Sequence, residues 1–553
     1  MPSNLVAMLE QWDLASYWRP ALLLAALPLL LGWWFLFRSS KPQGIDMSKY
    51  THFPQPEPAD KSRGHWPWVE KIAAEGDPRR SFHYMIDEQA KKMGYPPVLL
   101  TDWRPLAPLV ILFILNHDVA EQVTKASKQF NTSTPKHPLI QDLAPLVGAK
   151  SLVTLDGDEW KDLRKRILPG FQPQHLLTYA KVIADKSRMF VEHLEKRAAS
   201  GEEFRVDELT TNLSFDVIGI VTFNLDLDAQ IPGKQSERDN AKHWLRRYFT
   251  ETERTIRRLD KQLDSILKTS IKEEHAKIMA GDTTSSRSVA ALSLNGIEQL
   301  TPQILQQTSD ACRGFLFAGH DTTSILMQWM FYSLHRRPSS LKALRDELDE
   351  VFGADPSPYS IISQLSNPGG GKLLTKMKYA EAIVKETLRL YPPGTTLRMS
   401  PKGNNTTLTL PDGQILNVDG LVLSPVAYAI QRDPAIFGKT RDDFMPERWL
   451  GPEASKIPDG AWRPYERGPR RCTGSELANM QAKVVLACVA RRFDFVKVGA
   501  GELELDEKEQ PILDDKGYCK TKSDVFTIDE VTAKAVDGMT MKVKISKVAK
   551  TYA

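Results

Sequence analysis

Apolar positions recur along this chain in three rhythms. From Ala21 to Phe37 the run is continuous, with Pro28 and Gly32 inside it and Trp18, Trp33 and Trp34 at its edges. Elsewhere the spacing is helical: Leu477, Ala478, Met480, Val484, Val485, Leu486 and Val489 fall on one periodic stripe, a long segment from Thr308 to Leu334 repeats the pattern, and a third begins at Tyr379 and stops at Pro392-Pro393. Short β-branched stretches make up the third rhythm. Leu109 to Leu115, bounded by Pro108 and Asn116, predicts a buried strand; Leu408–Leu410 and Ile415–Leu416, turned by Pro411-Asp412-Gly413, predict a hairpin; Met539–Val543 predicts a closing strand. The expectation is a mainly helical chain with small β-sheets.

The continuous run is about 17 residues, the short end of what spans a thin bilayer. Glu10, Asp13 and Arg19 precede it where a secretory signal would carry a basic region, and no small-residue cleavage site follows. It is therefore expected to be an uncleaved anchor. Arg38 and Lys41 close its far side, which places the bulk of the protein on the cytosolic face of the endoplasmic reticulum membrane as a single-pass protein. Residues 1–38 are assigned to the anchor and 39–63 to a connector stiffened by the alternating prolines of Phe53-Pro54-Gln55-Pro56-Glu57-Pro58. Residues 64–553 contain no second linker or repeat and are assigned to one domain.

Charge excludes one class of partner. The 73 basic residues stand against 69 acidic ones, a net of +4 with no long run of one sign, so nucleic-acid binding is not expected. The four cysteines, Cys312, Cys472, Cys488 and Cys519, are scattered and form neither a disulfide framework nor a zinc motif. Gly369-Gly370-Gly371-Lys372 lacks the following Ser or Thr and the upstream glycine of a phosphate loop, so it offers no nucleotide site.

The remaining chemistry converges on Trp462-Arg463-Pro464-Tyr465-Glu466-Arg467-Gly468-Pro469-Arg470-Arg471-Cys472-Thr473-Gly474. One cysteine sits in a loop of glycines and arginines directly before a helix, where amide donors and the positive end of the helix dipole favour a thiolate. Gly468 and Gly474 allow tight bending and close approach to a flat ligand, and Arg470 is within reach of a carboxylate on that ligand. Cys472 reads as the axial ligand of a haem iron, whose thiolate favours O–O cleavage. The pattern Gly468-x-Arg470-x-Cys472-x-Gly474 resembles the loop of the haem-thiolate monooxygenases, the cytochrome P-450 superfamily. One departure is Tyr465, seven residues before the cysteine, where that family usually has Phe; its hydroxyl requires a partner.

Three upstream segments fit the same resemblance. Trp160 and Arg164 are one helical turn apart, and the resemblance implies that both anchor a haem propionate, with Arg470 and Arg398 as further candidates. Ala318-Gly319-His320-Asp321-Thr322-Thr323 places a glycine and two threonines inside a helix at a cost of up to ~1 kcal/mol for the glycine alone. Gly319 would let a flat cofactor or dioxygen approach, and Thr322 can bond back to an earlier carbonyl. By resemblance, Asp321 and Thr322 are the catalytic pair that manages protons during oxygen activation. Glu386 and Arg389, three apart, would be worth only ~0.3–0.5 kcal/mol on an exposed helix. The resemblance instead joins them to Arg448, in Pro446-Glu447-Arg448-Trp449, as a structural charge network.

The resemblance implies the mainly helical cytochrome P-450 fold, haem b as cofactor, dioxygen as co-substrate and a small hydrophobic organic substrate that is hydroxylated or epoxidised. No dinucleotide or flavin motif is present, so NADPH electrons would come indirectly, through a separate NADPH-cytochrome reductase, with cytochrome b5 as a second candidate donor. Lys161, Arg164, Lys165, Arg166, Arg467 and Arg471 form a candidate docking face for that acidic partner. The wording from Trp462 to Arg470, continued by Glu476-Leu477-Ala478, is similar to fungal microsomal members that oxidise polyketide intermediates of the sterigmatocystin and aflatoxin type. By analogy Pro393–Arg398 and Asp537–Met539 would line the substrate pocket. The alternatives are a fatty-acid hydroxylase, a haem-thiolate isomerase or dehydratase, which needs no proton relay, and a non-catalytic haem-binding protein.

Overall fold

The computed structural model describes residues 45–105, 107–231, 253–282 and 287–547. The expected anchor and the first residues of the connector lie outside the described residues. Among the described residues no helix is long and apolar enough to cross a membrane. Six helices position the site: α1 (Gly157–Ile167), α2 (Val206–Phe223), α3 (Pro302–Arg336), α4 (Pro338–Phe352), α5 (Lys378–Leu390) and α6 (Ser475–Val489). The strands are β1 (Val98–Asp102), β2 (Val110–Ile114), β3 (Phe204–Arg205), β4 (Arg398–Met399), β5 (Thr407–Thr409), β6 (Ile415–Asn417), β7 (Val422–Pro425), β8 (Phe493–Lys497), β9 (Thr527–Glu530), β10 (Thr532–Ala535) and β11 (Thr540–Ile545).

The sheets are small and lie at the margins of the helices. One has four strands in the order β1-β2-β7-β4, one has three in the order β3-β11-β8, and β9–β10 and β5–β6 are separate pairs. The apolar run at Leu109–Leu115 becomes β2, and its continuity has a simple cause. Val110, Leu112 and Ile114 pack into one cluster and Ile111 and Phe113 into another on the opposite face, so every position is buried. The predicted hairpin forms with Leu408 opposite Leu416. The connector is not free-standing where it is described: Ile45 and Phe53 are buried against this sheet, and Leu100 N–H donates to the Pro54 carbonyl at 2.8 Å.

The largest core lies among the helices, with α3 through its middle. Thr301 caps α3, its hydroxyl accepting from Ile304 N–H, and Pro302 occupies the first turn, where no amide partner is needed. The helix runs unbroken through Ala318–Thr323. Gly319 is explained by packing on α2, because a Cβ there would stand 2.6 Å from Ile218 Cδ1. Packing on Ile218 is thus a second reason for a glycine here, beside the approach of a ligand expected from the sequence.

The structure brings Glu386, Arg389 and Arg448 together at the end of α5. Arg389 Nε and Nη2 each donate to Glu386 at 2.8 Å, Arg448 Nε donates at 3.3 Å, and Met445 N–H and Trp449 Nε1 donate at 2.9 Å. Both Glu386 and Arg389 are 0% exposed. Burial pushes the Glu386 carboxyl up, but Arg389, then Arg448 and the Met445 amide, outweigh it and hold it below its ordinary value. Arg389 also donates to the carbonyls of Gln431, Arg441 and Asp443, so this one guanidinium ties the end of α5 to the chain between β7 and the cysteine loop.

Candidate active site

The loop before α6 is shaped by its own backbone. Cys472 N–H donates to the Tyr465 carbonyl at 2.8 Å and Arg471 N–H to the Gly468 carbonyl at 3.1 Å. Gly468 has φ +74°, and a Cβ there would fall 2.0 Å from the Thr124 carbonyl oxygen, so no other residue fits. The Tyr465 hydroxyl finds its partner in Asn479, donating at 2.8 Å. No side chain caps α6 at Gly474, which leaves the first amides of the helix directed to the sulfur.

Cys472 is exposed, and it lines a cavity of about 280 Å³. Burial nevertheless dominates its ionisation and pushes the thiol above its ordinary value; the Gly474 amide, Arg164, Arg471 and the Ser475 amide pull the other way and do not prevail. The expected amide donors are in place and act in the expected direction, with burial as the larger opposing effect in the protein without a metal; a thiol that coordinates a metal is deprotonated outright.

Across the same cavity lie Phe315, Ala318, Gly319 and Thr322 of α3. Thr322 Oγ1 donates back to the Ala318 carbonyl at 2.8 Å. Asp321 is not on the wall. Its carboxylate accepts from the Thr532 hydroxyl of β10 and pairs with Lys534 at 3.4 Å, so of the two residues expected to manage protons only Thr322 reaches the cavity.

A cationic wall completes the site. Lys136, Arg398 and Arg470 all line the cavity. Arg470 pairs with Asp156 and donates to the Leu155 carbonyl at 2.9 Å, Arg398 reaches Ser133 and Thr134, and Lys136 Nζ donates to the Val153 carbonyl at 2.7 Å. Yet Arg398 Nε and both Nε and Nη1 of Arg470 are buried with no partner among the described residues. Burial, reinforced by Arg398 and Arg470 and opposed by Asp156, pushes Lys136 down to about 7. Arg463 and Glu466 also line the cavity and pair with each other at 2.5 Å, and Asp156 pairs with Arg470; the guanidinium donors still left over on Arg398 and Arg470 mark a site built for a ligand bearing carboxylates. Lys136 carried no motif in the sequence; a backbone bridge to Arg398 brings it here.

Other expectations are relocated. Trp160, 3% exposed, and Arg164 are not among the lining residues; Arg470 stacks over the Trp160 ring at 4.3 Å and Arg164 at 5.3 Å, and Arg164 lies on the sulfur's side. Pro393, Gly394, Thr395 and Thr396 do line the cavity. Asp537 instead pairs with Lys497, and Met539 is buried in the core.

Residues 103–518 match the sequence pattern of the cytochrome P-450 family. The chain belongs to that family. It is 29% identical to the cytochrome P-450 monooxygenase acrF of Aspergillus aculeatus, over 69% of this chain and 81% of that one. It is 28% identical to the cytochrome P-450 monooxygenase polC of Polytolypa hystricis, over 81% and 82% of the two chains, and 26% identical to cytochrome P-450 4V2 of Homo sapiens, over 75% and 80%. As a cytochrome P-450 the protein is an oxidoreductase of the monooxygenase kind, and its cofactor is haem b. The cavity fits that group: a sulfur on one wall, a helix with an exposed threonine on another, and unpartnered guanidinium donors where carboxylates would lie.

Proposed function

We propose that Cys472 is the axial ligand of the haem iron and that Arg470, Arg398 and Lys136 hold the haem carboxylates, with Trp160 and Arg164 as the further candidates and Trp160 stacked on both arginines, Arg164 and Arg470. The observation that carries this reading is the cavity shared by Cys472, Thr322 and the three cations. Bound there, haem b supplies oxygen-activating chemistry, by which one atom of dioxygen enters the substrate and the other leaves as water. Thr322 Oγ1 holds a proton or an ordered water on the cavity wall. Asp321 contributes a proton only after its carboxylate turns away from Thr532 and Lys534.

The substrate is a small hydrophobic molecule with a few oxygens, in keeping with Ile218, Phe315 and Leu477 beside Thr395 and Thr396 on the wall. A fungal secondary-metabolite intermediate of polyketide type is the leading candidate, and a fatty acid the second. The chain is organised as an anchor (1–38), a connector (39–63) and a catalytic domain (64–553) on the cytosolic side of the endoplasmic reticulum, and a reductase delivers NADPH electrons. Lys165 is exposed and has no ion pair among the described residues, whereas Arg166 bonds Gln307 and Arg467 pairs with Glu121, so Lys165 is the better docking candidate. A thiolate-type carbon-monoxide difference spectrum, followed by reductase-dependent turnover against a panel of polyketides and fatty acids, tests the reading. A spectrum without the thiolate band would end it.

Two expected outcomes follow from these placements. Lys165→Glu should slow reductase-driven reduction about threefold at low salt, with the difference vanishing at high salt, because exposed charges act mainly on encounter and are screened; stopped-flow reduction reads this. Lys136→Met should speed haem transfer to an apoprotein acceptor about tenfold, within the range for a hydrogen bond to a charged group. The pH dependence has a definite sign. Haem carboxylates favour charged Lys136, whose value without them is about 7, so haem affinity is full below that pH and falls as pH rises through it. The parent should therefore release haem faster at pH 9 than at pH 7, and Lys136→Met should lose that contribution.

A further inference from the structure

A second cavity, of about 150 Å³, lies between the last turns of α3 and α6, the start of α4 and strand β8. Its walls are almost entirely apolar, and Phe331 and Phe495 stack face to face on one side at 4.1 Å and 6°. Asp494 also touches it, but Arg345 already holds that carboxylate at 2.6 Å. The remaining polar group is His335, whose ring Nε2 is buried and has no hydrogen-bond partner among the described residues. Burial, opposed by Asp494 and reinforced by Arg336 and Lys497, pushes this imidazole down to about 4, so it is a neutral hydrogen-bonding group at ordinary pH.

Size and chemistry select a ligand class. An apolar cavity of about 150 Å³ is the size that admits benzene, and apolar walls with one convergent polar group are the usual composition of a small-molecule site. We propose that this cavity binds a neutral, benzene-sized ring bearing one hydroxyl, its ring between the apolar walls and its hydroxyl on His335. His335 lies about 20 Å beyond Thr322 along α3, at 1.5 Å per residue, so the site is separate from the one that holds haem. A ligand here ties together the far ends of α6, which follows the Cys472 loop, and α3, which carries Thr322.

The test uses the haem-loaded protein with its first cavity filled by a bulky haem-ligating azole, titrated with 4-fluorophenol and with fluorobenzene and followed by fluorine NMR. Both probes should bind saturably, the phenol at least tenfold more tightly. Leu341→Trp, at a partly exposed position on the wall, should remove both signals while the azole spectrum stays normal. His335→Phe should keep fluorobenzene and lose the preference for the phenol, which guards against a filled variant that fails to fold. Absence of saturable binding in the parent, persistence of both signals in folded Leu341→Trp, or an unchanged preference in His335→Phe would each overturn the proposal.

Discussion

Serine in place of Cys472 is expected to remove at least a thousandfold of monooxygenase turnover, equivalent to about 4 kcal/mol of barrier. Ionisation of the sulfur works against the pull of burial, with the Gly474 and Ser475 amides, Arg164 and Arg471 in its favour. A serine hydroxyl, far less acidic, has no prospect of ionising there and cannot donate negative charge to the metal. The cationic wall formed by Lys136, Arg398 and Arg470 is untouched by the substitution, so haem should still be retained. The measurement is turnover with reductase together with the carbon-monoxide difference spectrum. Retained turnover, or an unchanged thiolate band, would remove Cys472 from the proposed role.

The second large effect concerns stability rather than chemistry. Glu386→Gln keeps the shape of the side chain but leaves Arg389, 0% exposed, without its counter-charge and turns an NH2 group toward donors on one side, either those of Arg448 and Met445 or that of Trp449. Breaking one side of a buried pair costs about 3–5 kcal/mol. Domains of this kind hold only about 5–15 kcal/mol in total, so most of the protein should be recovered without haem and with a markedly lower urea midpoint. Arg63→Ala provides the contrast. Its pair with Glu70 has side chains 51% and 61% exposed, and its loss should change the midpoint by less than about 1 kcal/mol equivalent. If the two substitutions proved equally mild, the network at the end of α5 would not be what ties the cysteine loop to the core.

Local features were legible because their causes are local. The alternation in Leu408–Leu410 and Ile415–Leu416, the two-sided burial of β2 and the proline stop after α5 all follow from side-chain periodicity and turn chemistry within a few residues. The cysteine loop was legible for the same reason, since its glycine with positive φ, its helix start and its arginines are contiguous. The site's chemistry was only partly so. Asp321 and Thr322 are neighbours in sequence, yet a helix sends adjacent side chains in directions about 100° apart, so one faces the cavity and the other faces β10. Lys136 was invisible because its meaning depends on Arg398, far away in the chain.

By itself, then, the order of residues determined the mainly helical class, the helices that bear Thr322 and Glu386, and the loop of glycines and arginines around Cys472. Tertiary structure alone decided which charges remain unpaired, that burial outweighs the helix end at the sulfur, that Gly319 packs on Ile218 as well as lining the cavity, and that a second cavity exists beside His335. The reason is range. Backbone conformation and amphipathic stripes are set by neighbours a turn apart, whereas desolvation, charge balance and empty volume are sums over every segment that folding brings to one place.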